Sequence, residues 1–196
     1  MIINKAVFLD RDGTINHDEK GYISKPEDFN LYDYSTKSIC LLNQLGYKVF
    51  IVSNQSGIGR GYFTEQDLDK VHQKMMALFA KDNAMIEKTY YCPYFKDAVL
   101  PEYRQNLEMR KPEIGMFKQA QKEYDFRIKS SFMIGDKPDD IIFGKRAGLT
   151  SILLMTGNGM DSLATLDEWE TKPDYVAENL LTACQLIEYL DKKNNA

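Results

Sequence analysis

Short runs of β-branched and apolar residues alternate along the chain with longer stretches in which apolar positions recur at helical spacing. That alternation predicts repeated βα units around a parallel sheet. Strands are expected at 6–9, 48–53, 88–91, 131–134, 151–155 and 175–176. Between the second and third, Leu68, Val71, Met75, Leu78 and Phe79 form one apolar stripe, and Thr64 with Asp67 three residues on supplies a capping-box start. Further helices are predicted over 36–45, ended by Gly46; over 113–124, begun after Pro112; over 139–147, ended by Gly148; and over 180–190, capped by Asn179. The fold class is α/β, with a Rossmann-like parallel sheet sandwiched by helices.

Two connections are long, 11–34 after the first strand and 92–110 after the third. Loops of that length in a compact unit are commonly functional, and open parallel sheets bind ligands beyond the carboxyl ends of their strands. The residues just past each strand are therefore the ones to read for chemistry.

Composition narrows the choice. A chain of 196 residues with 43% hydrophobic content suits a single domain spanning 1–196. Its net charge of −4 gives no general attraction to nucleic acid or to anionic membranes, so neither is expected as a partner, and any anion must be drawn by a local positive site. No run approaches the ~18 apolar residues that cross a bilayer, and residues 1–10 lack the pattern of a signal peptide. Cys40, Cys92 and Cys184 are widely spaced and odd in number, which points to a reducing compartment and a cytoplasmic protein. With His17 and His72 the only histidines, a multi-histidine metal centre or triad has little material. Carboxylates remain to do the chemistry.

Four strand ends carry candidate groups. The first ends in Asp10-Arg11-Asp12-Gly13-Thr14. There Asp10 can attack phosphorus, while Asp12 protonates a leaving oxygen and later deprotonates water; alone, the pair also fits an acidic surface turn. The second ends in Ser53-Asn54-Gln55-Ser56-Gly57, whose hydroxyl and backbone N–H groups can hold phosphate oxygens, although a polar turn has the same composition. After the third come Arg110-Lys111-Pro112, a solvated basic pair or, in this setting, a lysine that neutralises charge on a transferring phosphoryl group and on Asp10. The fourth breaks at Gly135 into Asp136-Lys137-Pro138-Asp139-Asp140. Asp136, with Asp10 and the backbone carbonyl of Asp12, suits magnesium, while Asp139 or Asp140 suits an N-cap. The conjunction of a carboxylate pair, a hydroxyl, a lysine and an acidic metal ligand in chain order outweighs each bland reading.

In order and type, these motifs resemble the haloacid dehalogenase (HAD) superfamily of aspartyl phosphotransferases over roughly the whole chain. The segments Phe8-Leu9-Asp10-Arg11-Asp12-Gly13-Thr14-Ile15-Asn16, Gly21-Tyr22, Ser53-Asn54-Gln55-Ser56-Gly57-Ile58-Gly59-Arg60-Gly61, Tyr90-Tyr91-Cys92-Pro93 and Gly135-Asp136-Lys137 are similar to its heptose bisphosphate and histidinol phosphate phosphatases. The resemblance implies a HAD-like fold without a large cap domain, Asp10 as nucleophile, Asp12 as general acid/base, and magnesium held by Asp10, Asp12 and Asp136. It further implies phosphate and substrate contacts from Glu19, Lys20, Gly21, Tyr22, Ser53, Asn54, Gln55, Ser56, Arg110, Lys111 and Lys137, and a monomer acting on a small phosphorylated sugar.

The substrate so implied is D-glycero-D-manno-heptose 1,7-bisphosphate, cleaved at the 7-phosphate in lipopolysaccharide precursor synthesis. Histidinol phosphate and other small phosphorylated metabolites are the alternatives. A phosphoacceptor signalling domain is a reading of another class, but the third strand ends in Tyr91-Cys92-Pro93 without an acceptor carboxylate. Relatives bind structural zinc through a Cys-x-His and a Cys-x-Cys pair in the loop after that strand. This chain keeps Cys92 but has Tyr94, Leu107 and Met109 at the other positions, so no zinc is expected and apolar packing among those three is expected to hold the loop.

Overall fold

A computed structural model describes residues 4–19 and 21–194. Six parallel strands, β1 (Lys5–Leu9), β2 (Tyr47–Asn54), β3 (Lys88–Cys92), β4 (Phe132–Gly135), β5 (Thr150–Leu154) and β6 (Tyr175–Ala177), form one sheet in the order β3-β2-β1-β4-β5-β6. The chain leaves β1 towards β2 and β3, then crosses back to place β4 on the other side of β1. The crevice at such a reversal is where open α/β sheets bind ligands. Leu9 pairs with Ile51 and with Ile134. Carried on by one residue, that register sets Asp10 level with Val52 and Gly135, so Ser53 and Asp136 emerge one residue further on either side.

Alternation along the strands divides the core into two layers. Val7 and Leu9 face one side with Val49, Ile51, Ile134 and Ile152. They are covered by α1 (Ser35–Gln44), α3 (Glu65–Ala80) and α7 (Leu180–Asn194) through Ile39 and Leu42, Val71, Met75 and Phe79, and Leu180, Ala183 and Ile187. Ala6 and Phe8 face the other side with Phe50 and Met133, beneath α4 (Gly115–Glu123) and α5 (Pro138–Arg146). Phe8 stacks on Phe50 at 5.1 Å and meets Phe117 edge-on at 5.4 Å. Rings of this size carry much of the layer's apolar burial, so Phe8→Ala is expected to cost roughly 3–5 kcal/mol.

The expected capping box starts α3: Asp67 N–H donates to Thr64 Oγ1 at 3.2 Å, and Thr64 N–H donates to Asp67 Oδ2 at 3.1 Å. Other boundaries move for local reasons. Helix α4 begins at Gly115, two residues later than expected, because the chain first makes a turn in which Glu113 N–H donates to Arg110 O at 2.8 Å. At the far end α7 continues past residue 190, extended by the Lys192–Glu188 pair at 2.7 Å. Two short helices escape the sequence pattern, α2 (Ser56–Gly59) and α6 (Gly159–Ala164); the two glycines of α2 hide its helical character. Among the described residues no helix is long and apolar enough to cross a membrane.

Candidate active site

Asp10, just beyond β1, is 5% exposed. Its Oδ1 accepts from Lys111 Nζ at 2.7 Å, and the same ammonium donates to Asp140 Oδ1 at 2.6 Å and to the Val52 carbonyl at 2.7 Å. Burial alone would discharge Lys111, but the Asp10 and Asp140 carboxylates outweigh it and hold the lysine's pKa above its ordinary value. Asn54, at the end of β2, fixes the lysine's backbone: Lys111 N–H donates to Asn54 Oδ1, and Asn54 Nδ2 donates to Lys111 O, each at 3.0 Å. Asp140 in turn caps α5, accepting from Lys137 N–H at 3.1 Å. Its carboxylate therefore serves the helix and the lysine together.

Asp136, fully buried, receives Asn158 N–H at 2.7 Å on Oδ2. Its other oxygen, Oδ1, is buried without a hydrogen-bond partner; the nearest cation, Lys137 Nζ, lies 3.6 Å away. One carboxylate oxygen each of Asp10, Asp136 and Asp140 lie within 4.8 Å of one another. Burial first, and then the Asp10 charge, push the Asp136 pKa upward. Gly13 makes room for this packing, since a Cβ there would stand 2.4 Å from Asp136 Oδ2. An orphaned buried oxygen among converging carboxylates suits a hard divalent cation, which would relieve their repulsion.

Asp12 is held differently. Its Oδ1 accepts from Arg11 Nε at 3.0 Å and from Asn16 Nδ2 at 2.9 Å; its Oδ2 accepts from Arg11 Nη2 at 2.8 Å and from Gln55 Nε2 at 2.9 Å. Burial raises the carboxyl's pKa, but the Arg11 charge and these hydrogen bonds more than reverse that and hold it below the ordinary value. Gln55 Nε2 also donates to Ser53 Oγ at 2.8 Å, so its amide joins Asp12 to Ser53.

A cavity of about 260 Å³ opens over this cluster, lined by Asp10, Asp12, Tyr22, Ser53, Asn54, Ser56, Arg110, Lys111 and Lys137, together with Asp139 and Asp140. Three substrate-contact expectations fall elsewhere. Gln55 is 3% exposed and committed to its neighbours rather than to the cavity. The Glu19 side chain, 83% exposed, turns to His17 at 3.2 Å, with Gly21 beyond it in the same loop. Lys20 lies outside the described residues. A larger cavity of about 620 Å³ sits at the amino ends of the strands, around Lys5, Tyr47 and Arg127, but among the described residues no carboxylate cluster accompanies it.

The sequence reading did not anticipate Asp140 as the lysine's second partner or Arg11 as the fully buried partner of Asp12. The loop after β3 also differs from expectation. Tyr94 and Met109 do pack against the core, but Leu107 is 39% exposed. The guanidinium groups of Arg60 and Arg110 lie over the Phe95 ring, at 4.1 and 5.3 Å, and Arg104 Nε donates to Ala98 O at 2.7 Å. Cation–π contacts and backbone capture thus do part of the work assigned to apolar packing.

A family model described as HAD-hydrolase-like matches residues 108–183. The chain is 38% identical over 184 residues to D-glycero-D-manno-heptose-1,7-bisphosphate 7-phosphatase of Chlorobaculum tepidum, covering 91% of this chain and 92% of that one. It is 37% identical over 189 residues to D-glycero-beta-D-manno-heptose-1,7-bisphosphate 7-phosphatase of Haemophilus ducreyi, covering 95% and 98%. Among solved structures it is similar to D,D-heptose 1,7-bisphosphate phosphatase from B. bronchiseptica, complexed with magnesium and phosphate, with a TM-score of 0.83, 28% identity, and coverage of 96% of this chain and 99% of that one. Matches of that extent and identity to several relatives, on a fold with the same neighbours, leave one conclusion: the chain belongs to the heptose bisphosphate phosphatase family of HAD-like hydrolases.

Proposed function

We propose that this protein removes the 7-phosphate of D-glycero-D-manno-heptose 1,7-bisphosphate through an aspartyl-phosphate formed on Asp10. The observation that supports it most is the placement of Asp10 at the cavity floor, bonded to Lys111 and grouped with Asp136 and Asp140. Magnesium held by Asp10, Asp136 and the Asp12 carbonyl would offset the repulsion between an anionic nucleophile and an anionic phosphate.

An Asp10 carboxylate oxygen attacks phosphorus in line, and the bond from phosphorus to the sugar oxygen breaks. Asp12 gives that oxygen a proton. The resting Asp12 is held ionised by Arg11, so the proton it delivers is first taken up from solvent through the cavity that Asp12 lines, and the proton it later takes from water is returned there. Ser53 and Lys111 hold the phosphoryl oxygens, as fixed donors in a water-poor site do best. Asp12 then takes a proton from water, which attacks the aspartyl-phosphate, frees inorganic phosphate and restores Asp10. Arg110 and Lys137, both on the cavity wall, bind the remaining anionic part of the substrate.

The same reading makes the protein a cytoplasmic monomer without structural zinc: Cys92 lies buried at the end of β3, and the loop that follows has Tyr94, Leu107 and Met109 where a zinc site would need further ligands. Phosphate release from heptose bisphosphates, histidinol phosphate and common sugar phosphates, with magnesium and with a chelator, tests the proposal. Metal-dependent release that favours heptose bisphosphate is expected. A preference for histidinol phosphate, or a stable phosphoprotein with no release, contradicts it.

A further inference from the structure

We infer that Tyr62 is a positioning residue for the substrate's sugar ring, acting through Tyr22; this rests on the sugar phosphatase reading above. Among the described residues, Tyr22 is the one aromatic lining the active-site cavity, and every other lining side chain is charged or polar. Those polar groups suit phosphates and hydroxyls. The C–H face of a sugar needs a flat apolar surface, and only the Tyr22 ring offers one.

That ring is 44% exposed, and its hydroxyl meets Ser56 Oγ at 3.4 Å, a long contact that fixes little on its own. Its plane is set by neighbours on three sides. The buried Phe63 ring stands 6.2 Å away. Gly57 in α2 lets both rings lie on the helix backbone, since a Cβ there would meet Phe63 at 2.2 Å and Tyr22 Cδ1 at 2.8 Å. Tyr62 closes the outer side edge-on, with centroids 5.1 Å apart and an interplanar angle of 64°.

Tyr62 is itself 62% exposed and lines no part of the cavity. A large ring left that far in water contributes little to the core, so its ring contact with Tyr22 is the role the geometry leaves it. Removing Tyr62 leaves the Tyr22 ring bounded only on its Phe63 and Gly57 sides, and part of the ring's ordering must then accompany substrate binding.

The test is steady-state kinetics of Tyr62→Ala and Tyr62→Phe with magnesium, on heptose 1,7-bisphosphate and on acetyl phosphate, which has no ring. Tyr62→Ala is expected to raise KM for the heptose substrate roughly three- to tenfold with little change in kcat. Acetyl phosphate kinetics should stay at the wild-type level, which also shows that the variant folds. Tyr62→Phe, which keeps the ring, should retain the wild-type KM. An unchanged KM for the heptose substrate in Tyr62→Ala, or equal losses on both substrates, overturns the inference while leaving the substrate reading intact. A wild-type enzyme that releases no phosphate from heptose bisphosphate ends the substrate reading, and this inference with it.

Discussion

Arg11, wholly buried, closes its Nε and Nη2 onto the two carboxylate oxygens of Asp12 at 3.0 and 2.8 Å. A charge with no access to water persists only when paired, and this pairing is two-pronged. Arg11 Nη1 also reaches His72 Nε2 at 3.4 Å, which ties the first catalytic loop to α3. The two carboxylates are thereby held by different partners: Asp10 is bonded to Lys111, Asp12 to Arg11.

Breaking the Arg11 pair should show in both stability and chemistry. Arg11→Met is expected to destabilise the protein by about 1–3 kcal/mol at neutral pH, because it removes two charged hydrogen bonds from the partly exposed Asp12 carboxylate, which keeps those from Asn16 and Gln55. Arg11 helps to depress the folded-state pKa of Asp12, so the stabilisation is complete above the unfolded carboxylate range and drains away as pH falls through the lowered value. Urea denaturation across acid pH should therefore show the gap between wild type and variant narrowing as pH falls.

His72 gives a second pH dependence. Burial first, and then the Arg11 charge, lower its pKa from 6.5 to about 4. Above pH 6.5 the ring is neutral in both states; below it the unfolded chain takes up the proton first, so stability is lost between 6.5 and about 4. His72→Gln should remove up to about 3 kcal/mol of that loss. A wild-type urea midpoint that falls no more steeply than the variant's over this range would contradict the assignment.

Asn54→Ala tests how Lys111 is placed. It deletes two hydrogen bonds to the lysine's backbone while leaving the ammonium in the chain. A stability loss of about 1–2 kcal/mol and a kcat/KM reduced at least about tenfold are expected, since misplacement of a charge-stabilising group costs rate more than fold. Kinetics and thermal denaturation of the same sample separate the two.

Most of the scaffold could be read from the sequence because parallel strands give a strong periodic signal. Once β1, β2 and β4 lie side by side, Asp10, Ser53 and Asp136 follow from position alone. What stayed hidden depends on contacts that no local pattern encodes. Between two acidic residues, Arg11 reads as a solvated turn, yet α3 and Gln55 enclose it. Asp139 or Asp140 reads as an N-cap, but the N-cap is Lys137 and Asp140 sits in the first turn, accepting from the Lys137 N–H; that its other oxygen reaches Lys111 depends on a loop arriving from beyond β3. Leu107 reads as packing material, but a left-handed Asn106 begins a short turn that leaves it in solvent.

The central claim is that Asp10 is the group that receives the phosphoryl, and phosphate release by Asp10→Asn in the presence of magnesium tests it most directly. With circular dichroism matching the wild type, turnover of heptose bisphosphate should fall by at least about four orders of magnitude, as expected when a nucleophile is removed. A folded Asp10→Asn enzyme that still releases phosphate near the wild-type rate would contradict the account.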